Sequence, residues 1–134
     1  MRCLIDHFDH IVLTTVDIAQ CEYFYGEVLG MEVVHFAEDR LAFRFGSQKI
    51  NVHVKGHEFE PKAAVPTPGA LDLCLIAACP LQEVIYRLEQ FKCPIVEGPL
   101  ERIGARGRLR SIYVRDPDQN LIEISECLDG DGCE

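Results

Sequence analysis

Apolar and polar positions alternate in short runs along most of the chain, and two stretches replace that alternation with a helical repeat. Residues 9–15 are largely β-formers, and Asp17 then offers a side-chain cap ahead of an apolar stripe of Tyr23, Phe24, Val28 and Leu29 at helical spacing. This predicts a strand and then a helix over 19–29, stopped by Gly30 in a left-handed conformation. Three short strands should follow near 31–36, 41–45 and 49–54, separated by the turn-forming runs 38–40 and 46–48.

Residues 56–69 contain Pro61, Pro66 and Pro68 and show no apolar periodicity, which marks a linker. The same order then returns. A strand at 70–77 is followed by a helix at 81–91 behind Pro80, a short strand around Ile95 and Val96, a strand at 111–115, a turn at Asp116-Pro117-Asp118-Gln119 and a last strand at 120–125. Two copies of one βαβββ order predict a single duplicated α+β domain, with a first module over about 4–55, a second over about 70–126 and a loose acidic tail over 127–134.

Duplication suggests where chemistry collects. His10-Ile11-Val12-Leu13 aligns with Asp72-Leu73-Cys74-Leu75, and Ile50-Asn51-Val52-His53-Val54 aligns with Asn120-Leu121-Ile122-Glu123-Ile124. His10, His53, Asp72 and Glu123 then hold equivalent positions. Their large apolar neighbours want the helices, so these four side chains point to the opposite face, which a curved sheet would gather into a concave pocket. A carboxylate turned into such a concavity is costly unless it is paired, protonated or bound to a cation. Two imidazoles and one or two carboxylates suit a divalent ion such as Zn, Ni, Mn, Co or Fe. Simpler roles stay open: a strand histidine is often a hydrogen-bonded core or surface residue, Glu123 could pair with an arginine, and Asp72 could orient a histidine ring from behind. His7, His35 and His57 lie outside the repeat register and read as solvated.

A formal charge of −9, with acids spread among apolar residues, argues against nucleic-acid binding and against disorder. The seven cysteines form no C-x-x-C pair and read as free thiols. Residues 1–6 lack the apolar core of a signal peptide, and no apolar run approaches the roughly 20 residues that span a bilayer, so a cytoplasmic protein without membrane contact is expected. The basic run 102–110 stands out in so acidic a chain. Its Arg106 and Arg108 are candidates for clamping an anionic small-molecule substrate, against a reading in which Glu97 and Glu101 balance the charge. Ser111 and Tyr113 share the pocket-facing parity of their strand, and Asn51 and Cys74 are further candidates to line the site.

Residues 9–13, 24–31 and 116–123 resemble successive signatures of the vicinal-oxygen-chelate (glyoxalase/bleomycin resistance/dioxygenase) superfamily, over roughly 4–126. Residues 59–63 and 111–117 are similar to its subgroup labelled glyoxalase-domain-containing protein five, or virulence-protein-like. The resemblance implies paired βαβββ modules in a U-shaped, incomplete barrel around a divalent ion, one ligand from each of four strands, often in a homodimer. His10 and Glu123 match the family's ligands on the first and last strands. His53 departs by placing imidazole where the first glyoxalase has a carboxylate, and Asp72 by standing where histidine is usual. The implied activity is a metal-dependent, glyoxalase-like lyase or isomerase acting on a small substrate chelated through two adjacent oxygens, with Glu123 or Asp72 moving a proton. The alternatives are an extradiol-dioxygenase-like Fe(II) oxygenase using His10, His53 and Glu123, or a non-catalytic binding or resistance protein.

Overall fold

In a computed structural model that describes residues 1–130, the chain divides into two compact units, Met1–Pro68 and a second beginning at Gly69. The first unit contains β1 (His10–Thr15), α1 (Ile18–Glu22), β2 (Glu32–Phe36), β3 (Arg40–Phe45) and β4 (Gln48–Val54). Asp17 caps α1 as its sequence predicts, its Oδ1 accepting from the Gln20 backbone N–H at 3.2 Å. The rest of the expected helix, Tyr23–Val28, is π-helical and buries Phe24, Tyr25 and Val28. Tyr25 stacks on Phe43 with ring centroids 5.2 Å apart. Gly26 lets this segment pack closely on β2, because a Cβ there would lie 2.9 Å from the Val33 side chain. The sheet order is β1-β4-β3-β2, with β1 parallel to β4. Leu13, Phe43, Ile50 and Val52 are buried in its core.

The second unit contains β5 (Asp72–Ile76), α2 (Leu81–Gln90), β6 (Glu97–Ile103), β7 (Arg108–Arg115) and β8 (Leu121–Cys127), in the matching order β5-β8-β7-β6. Leu81, Ile85 and Leu88 of α2 are buried, as are Ile112, Val114, Ile122 and Ile124 of the sheet. Pro80 provides no side-chain cap for α2; the Leu81 N–H instead donates to Glu126 Oε2 at 3.2 Å.

Two expectations change here. Residues 97–110, which follow the short strand expected around Ile95 and Val96 and were not themselves expected to be strand, form one arm and the tip of a hairpin. Its charged cross-strand partners, such as Glu101 opposite Arg110, hide the apolar alternation by which strands are read. Gly98 sits where the pairing shifts register, at φ 100°, and a Cβ there would lie 2.5 Å from the Ser111 carbonyl oxygen. The expected loose tail is ordered where it is described. β8 runs to Cys127, and Asp129 accepts from the backbone N–H and Nε of Arg108 at 2.6 and 3.0 Å; residues 131–134 lie outside the described residues.

The β7–β8 turn is built on Asp116, which is buried. Its Oδ1 accepts from the backbone N–H groups of Asp118 and Asn120, each at 2.9 Å, and its Oδ2 from Asn120 Nδ2 at 2.8 Å. Asn120 Oδ1 in turn accepts from the Leu71 N–H at 2.9 Å, which ties the turn to the start of β5. Cys3, Cys21, Cys74, Cys79 and Cys93 are free thiols, whereas Cys127 is disulfide-bonded, a departure from the all-thiol expectation. No helix among the described residues is long and apolar enough to cross a membrane.

Candidate functional site

Strand pairing in the second sheet arranges side chains in rows. β8 lies between β5 and β7, and its partners set Asp72, Leu121 and Arg115 in one row, Cys74, Glu123 and Tyr113 in the next, and Ile76, Ser125 and Ser111 in a third. Paired residues share a face, so all nine side chains lie opposite the Ile122 and Ile124 side. Asp72, Leu121, Arg115, Glu123 and Tyr113 line a cavity of about 510 Å³, which Val96, Glu97 and Arg102 complete from the β6 side.

Hydrogen bonds orient this face. Arg102 Nε donates to the Tyr113 hydroxyl oxygen at 3.0 Å, and that bond, ahead of the pull of Glu97 and Glu123, raises the arginine's pKa further. Because the phenol oxygen accepts from Arg102, its own hydrogen stays available to a ligand. Ser111 and Ser125 are both buried, with their hydroxyl oxygens 2.6 Å apart. Ser125 donates to Glu123 Oε2 at 3.3 Å. A hydroxyl has one hydrogen, so Ser111 donates to Ser125 and the chain ends on the carboxylate. Cys74 Sγ lies 3.4 Å from Ser125 Oγ. Desolvation, reinforced by Glu123 and Asp72 and opposed by the Ser125 contact, pushes its thiol pKa up; Cys74 shares the face of the cavity but is not among its lining residues.

The first unit holds the two histidines. His10 is exposed, with Nδ1 2.7 Å from Asp9 Oδ2, and this bond lowers the Asp9 carboxyl below its ordinary value. His10 pairs with Lys49, whereas His53 pairs with Thr14, four positions further along the ladder. At ~3.3 Å per residue that separates them by about 13 Å along the strands. His53 is buried with its ring edge-on to Phe59 at 5.7 Å, and Arg40 covers Phe59 at 4.3 Å. Burial and then Arg40, against Glu58, hold its imidazole below the ordinary value.

The ladders also correct the alignment of the halves. With His10 matched to Asp72, their partners Lys49 and Leu121 correspond, so Glu123 matches Asn51 and His53 matches Ser125. The sequence alignment was displaced by two residues, a shift that leaves every apolar position on its own face and so is invisible to a period-two pattern. Asn51 Oδ1 is buried and, among the described residues, has no hydrogen-bond partner. No three His, Cys, Asp or Glu side chains come together as a metal-holding group among the described residues.

The cavity's arginines are Arg102 and Arg115, not the Arg106 and Arg108 singled out from sequence. Arg106 is exposed in the turn between β6 and β7. Arg108 has the opposite parity to Tyr113 and is engaged by Asp129 and by Glu101 at 3.0 Å. Parity would have found Arg115, which alternates with Tyr113 and Ser111.

The duplicated element order is matched in known proteins, and residues 7–124 fit the Glyoxalase/Bleomycin resistance protein/Dioxygenase superfamily. The chain belongs to this superfamily. Glyoxalase-superfamily members bind small molecules, and many use a divalent metal. Over 126 residues the chain is 52% identical to virulence protein STM3117 of Salmonella typhimurium, covering 94% of this chain and 88% of that one. The crystal structure of STM3117 matches with a TM-score of 0.91 over 94% of this chain and 100% of that chain. Glyoxalase domain-containing protein RDO1 of Mycosarcoma maydis is 50% identical over 121 residues, 90% of this chain and 68% of its own length. Lactoylglutathione lyase from Agrobacterium tumefaciens, at 23% identity and a TM-score of 0.71 over 94% of this chain and 98% of its own, shares the fold.

Proposed function

We propose that the cavity on the second sheet is the substrate site of a glyoxalase-like lyase or isomerase acting on a small substrate that carries an anionic group. The observation that carries this reading is the convergence of Arg102, Arg115 and Tyr113 with Asp72 and Glu123 around one cavity. The guanidinium groups suit a carboxylate or phosphate. Glu123, steadied through Oε2 by Ser125, takes a proton from the carbon beside a substrate carbonyl, whose oxygen gathers charge against the Tyr113 hydroxyl. Return of that proton to the former carbonyl carbon, with the hydroxyl proton of the first carbon passing to the charged oxygen, completes the isomerisation of a hydroxy-carbonyl substrate, with Asp72 as the second carboxylate at the site.

A divalent ion fits this donor set only in part. Asp72 and Glu123 stand on neighbouring strands two ladder positions apart, and these two carboxylates are the donors we retain as candidates. Asn51 is a neutral amide at the ladder position equivalent to Glu123, and His53 packs against Phe59. No step above is therefore routed through an ion. The spacing of His10 and His53 also weighs against a two-histidine Fe(II) oxygenase.

The test is lactoylglutathione formation from the methylglyoxal–glutathione hemithioacetal, with protein stripped of metal and with protein loaded with Zn, Ni, Mn, Co or Fe. Turnover that falls by a factor of about 100 or more in Glu123→Gln supports the reading. Absence of turnover under every condition, with the ligand still bound, would establish the second reading, a non-catalytic binder, which the neutral Asn51 favours. We extend the proposal to a cytoplasmic homodimer, since members of the superfamily often form dimers; sedimentation velocity checks the mass.

A further inference from the structure

We infer that the ligand of this cavity is a zwitterion, with a primary ammonium at one end, a carboxylate at the other and a short apolar chain between. The inference rests on the cavity being the substrate site and specifies what it recognises. Across the first row the three adjacent strands present a negative, an apolar and a positive side chain in turn: Asp72, Leu121 and Arg115. At ~4.8 Å per strand the two charged positions stand about 10 Å apart, with Leu121 as the floor between them.

The charges at the two ends are not spent on each other. Among the described residues the Asp72 carboxylate makes no hydrogen bond or ion pair, and Glu123, diagonal to it in the next row, is met by the Ser125 hydroxyl and the Cys74 thiol but by no ion-pair partner. Arg115 donates through Nη1 to the Gln119 carbonyl oxygen at 3.2 Å and, among the described residues, forms no ion pair with a carboxylate. Arg102, by contrast, is taken up by Tyr113 and by Glu97 at 3.9 Å. A purely anionic ligand would leave Asp72 and Glu123 facing it unanswered, and a purely cationic one would leave Arg115 unused. A molecule of both signs satisfies both ends.

An ammonium suits the acidic end better than a divalent ion does. A metal ion needs at least a third converging donor, and none joins Asp72 and Glu123 among the described residues. A primary ammonium needs only acceptors for its three N–H groups, which two carboxylates and water supply. Val96 adds a second apolar surface for the connecting chain.

Isothermal titration of the full chain in EDTA, with 6-aminohexanoate, hexanoate and hexylamine as probes, separates the possibilities. We expect 6-aminohexanoate to bind about fivefold more tightly than either single-charge analogue, the scale of one partly exposed ion pair. Asp72→Asn should reduce it to the affinity of hexanoate and Arg115→Ala to that of hexylamine, with circular dichroism unchanged in both variants. Equal affinity for hexanoate and 6-aminohexanoate would overturn the zwitterion while leaving an anion site. Binding of 6-aminohexanoate that appears only with added Zn²⁺ would overturn it in favour of a metal. No binding by any of the three probes would remove both this inference and the substrate site beneath it.

Discussion

Asn51 holds in the first sheet the ladder position that Glu123 holds in the second. The two halves thus keep one backbone register and differ in charge at its centre. Asn51 lies between Val12 and Ala42, whereas Glu123 lies between Cys74 and Tyr113. A buried amide oxygen without a partner costs about 1–3 kcal/mol. Asn51→Leu, nearly isosteric and apolar, should therefore raise stability by about 1 kcal/mol, read as a higher urea midpoint at unchanged slope. A lower midpoint would mean that the oxygen is satisfied in solution.

His53 should make stability depend on pH. Its imidazole titrates below the ordinary value of 6.5 when folded, so between the two values the unfolded chain binds the extra proton. The contribution is complete above about 6.5 and is lost as pH falls through the lowered folded value. Urea midpoints followed from pH 7.5 down to 5 should decline more steeply in the parent than in His53→Gln. Parallel curves would show that another group governs the decline.

The arginines divide by the face they serve. Arg108→Ala removes contacts to Asp129 and Glu101 at the hairpin tip, and should cost less than about 1 kcal/mol of stability while leaving ligand affinity unchanged. Arg115→Ala should do the reverse. Thermal unfolding and titration of one ligand against both proteins check the pair, and weaker binding by the Arg108 variant would contradict the assignment.

Asp116→Ala should be far more damaging than any surface change. It strips the acceptor from two backbone N–H groups and from the Asn120 amide inside a buried turn. The expected loss is about 2–4 kcal/mol by chemical denaturation. A loss under about 1 kcal/mol would show that the turn holds itself without the carboxylate.

Much of this fold was legible in the sequence because apolar periodicity fixes which face of each element is buried. The strand of His10, the Asp17 cap, the proline-rich linker and the repeated order all follow from that pattern and from turn chemistry. Ladder register did not, since moving β4 by two residues keeps Ile50 and Val52 inward, and only hydrogen bonding to β1 decides between Asn51 and His53 as the counterpart of Glu123. The hairpin arm at 97–103 was obscured for a different reason: its partners are charged and Gly98-Pro99 interrupts its pairing, so it reads as loop. Within the basic run, composition pointed to arginine, but strand parity selects which arginine. Asp72, Glu123 and Tyr113, which line the cavity, were legible because they lie in regular strands, where side-chain direction can be counted; Ser111 shares their face but lies outside the lining. Glu97 and Arg102 reach the cavity from the arm that composition concealed.

The side-chain amide of Asn120 does the work of a missing peptide group, donating a hydrogen bond to Asp116 on one side and accepting one from the Leu71 N–H on the other. That dual role is open to an amide and closed to the corresponding acid. Hydrolysis of this one group to aspartate would set two anionic oxygens against each other in a dry turn and unfasten the hairpin from the strand that carries Asp72. Chemical ageing at a single nitrogen would thus be felt in the cavity itself.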